Sequence, residues 1–238
     1  MEIAVDFGTS SAKIGFFKGN ELVEVKSRVT IGAFRDYIES NEVVRAIVST
    51  VSYSKEEILQ QVKNSEKIVF LSNTTPVPIT LDYKTPETLG MDRLAAAVGA
   101  FYMFPNKNCL IIDAGSCITI DLIDEHGVYH GGSISPGIDL KFKALHNYTA
   151  NLPLVMREEQ VTLMGKSTRE SILSGVINGT RAEIREIIRM YQNKFPILHL
   201  VICGGDAHWV SEGPKTGAFM APDLVLRGLK NILDYNVK

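Results

Sequence analysis

Two apolar runs in this chain end on the same acidic glycine turn, and that repeat constrains the fold more than any other feature of the sequence. Ile3-Ala4-Val5 leads into Asp6-Phe7-Gly8-Thr9, and Cys109-Leu110-Ile111-Ile112 leads into Asp113-Ala114-Gly115-Ser116. Both fit strand–Asp–x–Gly–[Ser/Thr]–strand, and the second copy begins near the middle of the 238 residues. Each is followed by two more β-rich runs around a turn. In the first half, Ala12 to Phe17 and Leu22 to Val25 flank Lys18-Gly19-Asn20. In the second, Ile118 to Ile123 and Val128 to Gly131 flank Asp124-Glu125-His126-Gly127. A repeated unit of this kind predicts two similar βββα lobes, residues 1–107 and 108–238, facing each other across a cleft.

The remaining pattern fits an α/β chain. Helices are expected over Ala33 to Ser40, after Ser54 with Glu57 three residues on, over Met91 to Phe104 up to Pro105, and over Gly137 to His146. A long amphipathic helix runs from Thr168 to Met190, with Gly175, Val176 and Gly179 offering a face for close packing, and Pro222 to Leu233 gives a last one. Ala46 to Val48, Ile68 to Leu71 and Leu198 to Cys203 read as buried strands.

Composition narrows the class. Lys and Arg total 25 against 27 Asp and Glu, a net charge of −2, which gives no basic field for nucleic acid or an anionic membrane. The 3 cysteines form no CxxC pair, so neither a zinc knuckle nor a disulfide framework is indicated and reduced thiols are expected. The start of the sequence lacks the pattern of a signal peptide. The longest weakly polar run, Leu94 to Phe104, falls well short of the ~18 residues that span a bilayer. A cytoplasmic protein is expected. The 5 histidines show no ligand spacing: His126 and His130 are separated by Gly127 in a hairpin, and no chemistry is assigned to them. Trp209 and Met91 are expected in the core.

The acidic turns carry the chemistry. A glycine two residues after the Asp lets the backbone approach a ligand closely. The Ser/Thr hydroxyl and exposed N–H groups donate to phosphate oxygens, and the carboxylate offers oxygen to a hard cation. The first turn continues through Ser10, Ser11 and Ala12 to Lys13, so Asp6, Phe7, Gly8, Thr9, Ser10, Ser11, Ala12 and Lys13 form a candidate phosphate cradle. One such turn is more often only a strand-end turn. Two at matched positions favour a polyphosphate and its metal. Gly165-Lys166-Ser167-Thr168 resembles the end of a P-loop, but Gln160 stands where that loop needs Gly and no strand precedes it. No GxGxxG follows a strand.

These pieces recur in one family's order. Asp6-Phe7-Gly8-Thr9 with Lys13 comes first, then Gly90-Met91-Asp92-Arg93, Asp113-Ala114-Gly115-Ser116 and Gly131-Gly132-Ser133-Ile134-Ser135-Pro136-Gly137. Thr149-Ala150-Asn151-Leu152-Pro153, Gly165-Lys166-Ser167-Thr168 and Gly204-Gly205-Asp206 follow. Over nearly its whole length the chain resembles type III pantothenate kinases, of the actin, hexokinase and acetate-kinase superfamily. It departs from them at Thr9-Ser10, where Asn-Thr is usual, and at Ser116-Cys117, where Thr-Ala is usual.

The resemblance implies a duplicated RNase H-like (actin-like ATPase) α/β fold with two lobes around a nucleotide cleft. It implies ATP-dependent phosphorylation of pantothenate to 4'-phosphopantothenate, the first step of coenzyme A biosynthesis, by a homodimer. In its terms Asp92 accepts the substrate proton. Asp6 holds Mg²⁺ through water, Asp113 binds a monovalent cation (K⁺ or NH₄⁺), and Ser116 touches ATP. Tyr83, Gly90, Met91, Asp92, Arg93 and Thr168 line the pantothenate site, and Gly204-Gly205 lies along the nucleotide. Read from the residues alone, Asp92 is more readily a helix N-cap. Arg93 is able to pair a substrate carboxylate. The competing readings are a non-catalytic accessory protein of this fold, a kinase for another small hydroxy acid, and a nuclease. Two duplicated turns and a net charge of −2 argue against the nuclease.

Overall fold

The computed structural model describes residues 1–9, 11–40, 42–211 and 217–237. Contacts divide the chain into two compact units. Unit 1 holds Met1–Asn106, Ile123–Gly131 and Asp223–Lys238, and unit 2 holds Lys107–Leu122 and Gly132–Pro222.

Unit 1 is built on a five-stranded sheet. Its strands are β1 (Glu2–Phe7), β2 (Ala12–Lys18), β3 (Glu21–Ser27), β4 (Arg45–Thr50) and β5 (Ile68–Phe70), in the order β3-β2-β1-β4-β5. β2 runs antiparallel to β1 and β3, whereas β4 is parallel to β1 and β5. The strict alternation of β1 splits its side chains between two cores. Ile3, Val5 and Phe7 pack on one face with Phe34 and Ile38 of α1 (Ile31–Glu39) and Ile58 of α2 (Lys55–Leu59). Ala4 packs on the other with Ala95 and Val98 of α3 (Met91–Met103) and Leu226, Leu229, Ile232 and Leu233 of α8 (Leu224–Tyr235).

Local chemistry sets the helix starts. Thr30 accepts a hydrogen bond from the amide of Ala33 to open α1, and Ser54 and Glu57 form a reciprocal capping box on α2. α3 and α8 cross at glycines: a Cβ on Gly99 would lie 2.6 Å from the carbonyl oxygen of Leu224, and one on Gly228 would strike the carbonyl of Ala95. The two backbones therefore touch.

A short strand the sequence did not suggest, β6 (Thr80–Leu81), pairs in parallel with Val128 and Tyr129. The cut expected at residue 107 also differs from the contact pattern. Residues 123–131 and 223–238 group with unit 1: β6 pairs with Val128 and Tyr129, and the apolar face of α8 covers β1 and α3.

Unit 2 carries β7 (Cys109–Ala114), nearly all of β8 (Cys117–Ile123), the second part of β9 (Val128–Pro136), β10 (His199–Cys203) and β11 (Phe219–Met220), ordered β11-β10-β7-β8-β9. β10 is parallel to both β7 and β11. The core joins Leu110, Ile112, Ile120, Phe142, Ile172, Ile177 and Trp209. α4 (Ile138–Asn147) and the short α7 (Ala207–Val210) flank this sheet. The long helix expected from Thr168 is present as α5 (Thr168–Leu173), a π-helical turn over Ser174–Asn178, and α6 (Gly179–Lys194). Among the described residues nothing packs closely on Gly175 or Gly179: a Cβ on either would meet nothing within 4 Å.

Candidate active site

In unit 1 the first acidic turn leaves the end of β1. Asp6 lies directly opposite Lys13 on β2 and opposite Ser49 on β4, so the three side chains share one face of the sheet. That face also carries Ala4 and is covered by α3 and α8. The turn is tight, with a Cβ on Gly8 falling 3.0 Å from the carbonyl oxygen of Ser11 and 3.6 Å from a carboxylate oxygen of Asp6. Ser52 donates to the Gly8 carbonyl at 2.6 Å, which anchors the loop from the β4 side.

Thr9 and Ser11 are exposed, and Ala12 and Lys13 are half-buried. Phe7 is fully buried against Phe34 and Tyr53, so only its backbone is available to a ligand. Ser10 lies outside the described residues.

A metal bound here would rest on few protein ligands. Among the described residues no cluster of three or more His, Cys, Asp or Glu side chains is placed to hold one. A magnesium ion that keeps its waters and leans on one carboxylate and phosphate oxygens suits such a site. The Ser49 hydroxyl, fully buried with no hydrogen-bond partner among the described residues, leaves a polar group beside Asp6 whose hydrogen bonding is incomplete. The tight turn and this hydroxyl fit a phosphate–metal ligand.

Asp92 sits in the first turn of α3, but it is not the N-cap. Gly90 holds that position, without a side-chain cap. The carboxylate of Asp92 accepts the amide of Arg93 at 2.8 Å, and a Cβ on Gly90 would lie 2.6 Å from the same oxygen. Gly90 thus leaves room for the carboxylate at the positive end of the helix. Met91 is half-buried against the α3–α8 core. Arg93 is 7 % exposed and already engaged, which leaves little of it to present to a substrate carboxylate. Tyr83 is half-buried, its ring 5.9 Å from that of Tyr129.

In unit 2 the second acidic turn leaves the end of β7. Asp113 is half-buried and opposite Cys203 on β10, and Ser116 is exposed. The turn is backed by Gly204, whose φ of +90° few other residues adopt and whose Cβ would strike the Asp113 carboxylate. The amide of Asp206 donates to the Ala114 carbonyl at 2.8 Å.

Arg157, which the sequence reading did not single out, locks this corner. Its guanidinium pairs with Asp206 and, at 2.7 Å, with Asp139 in the first turn of α4, and it lies 5.7 Å from the ring of Trp209. Burial alone would weaken its charge; the two carboxylates outweigh that and raise its pKa. Thr168 is the exposed first residue of α5, after the N-cap Ser167, whose side chain accepts the amide of Glu170. The segment before it is irregular, as rejection of a P-loop requires. A cavity of about 620 Å³ lined by Val161, Leu163, Asn178 and Arg181 holds none of the candidate residues.

The cysteines are free thiols, and burial pushes that of Cys109 up to about 12. Of the histidines, His130 is tied to two carboxylates, Asp82 and Asp124.

The family profile for type III pantothenate kinases matches residues 2–190. The chain belongs to the type III pantothenate kinase family. It is 40% identical over 237 residues to the type III pantothenate kinase of Cytophaga hutchinsonii, covering 100% of both chains. It is 41% identical over 241 residues to that of Phocaeicola vulgatus, again covering 100% of both. Among solved structures, a Baf family protein of Campylobacter jejuni described as a transcriptional activator superposes with a TM-score of 0.64 at 24% identity, over 98% of each chain. The activator of 2-hydroxyisocaproyl-CoA dehydratase from Clostridium difficile, solved with ADPNP, gives 0.54 at 12% identity, over 98% of this chain and 94% of that one. These likenesses bear out the expected fold class, the α/β actin-like ATPase fold, for this pantothenate kinase family member.

Proposed function

We propose that this chain transfers the γ-phosphoryl group of ATP to the hydroxyl of pantothenate, giving 4'-phosphopantothenate and ADP. The observation that carries the reading is Asp92. In this member of the pantothenate kinase family, its carboxylate stands in the first turn of α3, given room by Gly90.

Asp92 takes the proton of the substrate hydroxyl as its oxygen bonds to the γ-phosphorus. The bond from phosphorus to the β–γ bridging oxygen breaks, and ADP leaves with that electron pair. Such transfer is loose, so positioning and charge compensation supply most of the rate. Lys13 compensates phosphate charge from the strand beside Asp6, and the amides and hydroxyls of residues 8–11 donate to phosphate oxygens. Magnesium, when bound, neutralises phosphate charge, and Asp6 is the residue to hold it, through water. Ser116 contacts ATP, and Asp113 takes potassium or ammonium. A carboxylate beside a polyanion repels it unless a cation lies between them. Tyr83, Gly90, Met91, Arg93 and Thr168 contact pantothenate, Arg93 through whatever part of its guanidinium remains at the surface.

A second copy of the chain completes the protein in this reading. In unit 2 Tyr148, Met156, Leu163 and Met164 are 88%, 69%, 81% and 79% exposed, apolar side chains that a second copy would cover. No helix among the described residues is long and apolar enough to cross a membrane, and the reading assigns the protein to the cytoplasm.

The test is a coupled ADP-release assay with pantothenate against glucose, glycerol and acetate. Release with pantothenate alone is expected; equal release with a control compound refutes the substrate. Replacing Tris chloride stepwise by potassium chloride at fixed ionic strength should raise turnover. A flat response after removal of ammonium would refute the monovalent site and leave the kinase reading intact. Sedimentation at micromolar concentration should return the mass of two chains.

A further inference from the structure

A two-residue strand, β6, ends two residues before Tyr83. β6 is held to its neighbour by the amides of Thr80 and Asp82, which donate to the carbonyls of Gly127 and Tyr129 at 2.9 Å each. Beyond Asp82 the backbone leaves the sheet, and Tyr83 is the next residue. Its ring rests near Tyr129 and over the backbone of Gly131, where a Cβ would lie 3.0 Å from the ring. Those contacts seat the ring, and the amide of Asp82 holds the chain one residue before it.

His130 lies between these two seat residues in sequence and reaches both neighbouring carboxylates. Its Nε2 is 2.9 Å from Oδ2 of Asp124, and its Nδ1 is 3.3 Å from Oδ2 of Asp82. Asp124 is a fixed post: its other oxygen accepts the amides of His126 and Val128 at 2.9 Å each. The side chain of Asp82 is 76% exposed, and the imidazole ties it back to that post. The connection runs from the anchored Asp124 through His130 to Asp82, the residue before Tyr83.

We propose that His130, with Asp82, is a positioning residue for pantothenate: the imidazole clips the end of β6 to the β8–β9 turn and so holds Tyr83 at the substrate. The inference rests on the reading of Tyr83 as a substrate contact. Losing the clip lets Tyr83 sample other positions, which weakens pantothenate binding and leaves the nucleotide turn and Asp92 untouched.

The test measures kcat and both KM values for His130→Ala, Asp82→Ala, Asp82→Asn and the double His130→Ala/Asp82→Ala variant, with Tyr83→Ala alongside. The expected rise in KM for pantothenate is about threefold to tenfold for His130→Ala and Asp82→Ala, the size an ordinary hydrogen bond carries, since the Asp82 carboxylate is largely in solvent. KM for ATP and kcat should stay within about twofold, as a distant positioning effect requires. The double variant should be no worse than either single one, because both remove the same contact. Asp82→Asn keeps an acceptor and should restore most of the affinity.

An unchanged pantothenate KM in both alanine variants, or an equal rise in both KM values, overturns the clip. Asp82 is a surface side chain, so its variants keep the test open should His130→Ala fold poorly. If Tyr83→Ala itself leaves the pantothenate KM unchanged, the substrate reading of Tyr83 has failed and the clip falls with it. If only Tyr83→Ala raises it, the substrate reading stands and the clip alone is refuted.

Discussion

At the scale of single residues, Asp92 and Gly204 put the proposed chemistry to the test. Asp92→Asn keeps the shape of the side chain and its bond from the amide of Arg93, yet cannot take a proton. Turnover should fall ~10²- to 10⁴-fold with ATP affinity unchanged, measured by steady-state kinetics beside nucleotide binding in a calorimeter. A variant that keeps more than about a tenth of the rate removes Asp92 from that role. Gly204→Ala places a methyl group against the Asp113 carboxylate at a φ of +90°. The strain should cost roughly 1–3 kcal/mol in urea unfolding, and KM for ATP should rise because Asp113 is pushed from its place. Asp92 came forward in the sequence only through the Gly90-Met91-Asp92-Arg93 segment shared with the family, since its place at the start of an alanine-rich helix reads as readily as a cap. His130 did not: its partner Asp82 is 48 residues away, and spacing along the chain says nothing of a contact that only folding creates.

At the scale of elements, Arg157 joins the start of α4 to the turn after β10. Arg157→Ala leaves Asp206, a largely buried carboxylate, without its cation and should destabilise the protein by about 1–3 kcal/mol while raising KM for ATP. Arg157→Lys should recover only part of both, since an ammonium cannot fork to two carboxylates as a guanidinium does. Denaturant midpoints and ATP titration of the two variants decide it, and full recovery by Lys would reduce Arg157 to a simple charge. Elements with local signals were readable: the Ser54–Glu57 capping box, the strand–Asp–x–Gly turns and the Pro105 stop all coincide with boundaries seen in the fold. β6 and β11, two residues each, carry no periodicity to read. α8 was readable as a helix but not its placement, because an apolar stripe does not name the sheet that it will cover.

At the scale of the whole chain, residues 223–238 return to the first sheet, where ion pairs pin α8. Lys230, its side chain only 4% exposed, pairs with Glu2 on β1 at 2.9 Å and with Asp234 on its own helix, and Arg45 on β4 also meets Glu2. Burial pushes the Glu2 carboxyl up, but Lys230 and then Arg45 more than offset it, and its pKa falls below the ordinary 4.5. A lowered folded pKa adds stability that is complete above about pH 4.5 and is lost as the pH falls through the folded value. Glu2→Gln should therefore cost about 1–3 kcal/mol at pH 7, with the gap to wild type closing as urea midpoints are taken below pH 4.5. A gap that stays constant with pH refutes this.

The helix so pinned is encoded after the entire second unit. On a translating ribosome, residues 1–106 emerge with Ala4, Ile47, Ala95 and Val98 lacking the helix that shields them, and they wait for it until the codons past Asp223 have been read. For that interval the nascent chain shows a sticky, half-made face, so its demand on chaperones is set by elongation speed between Asn106 and Asp223.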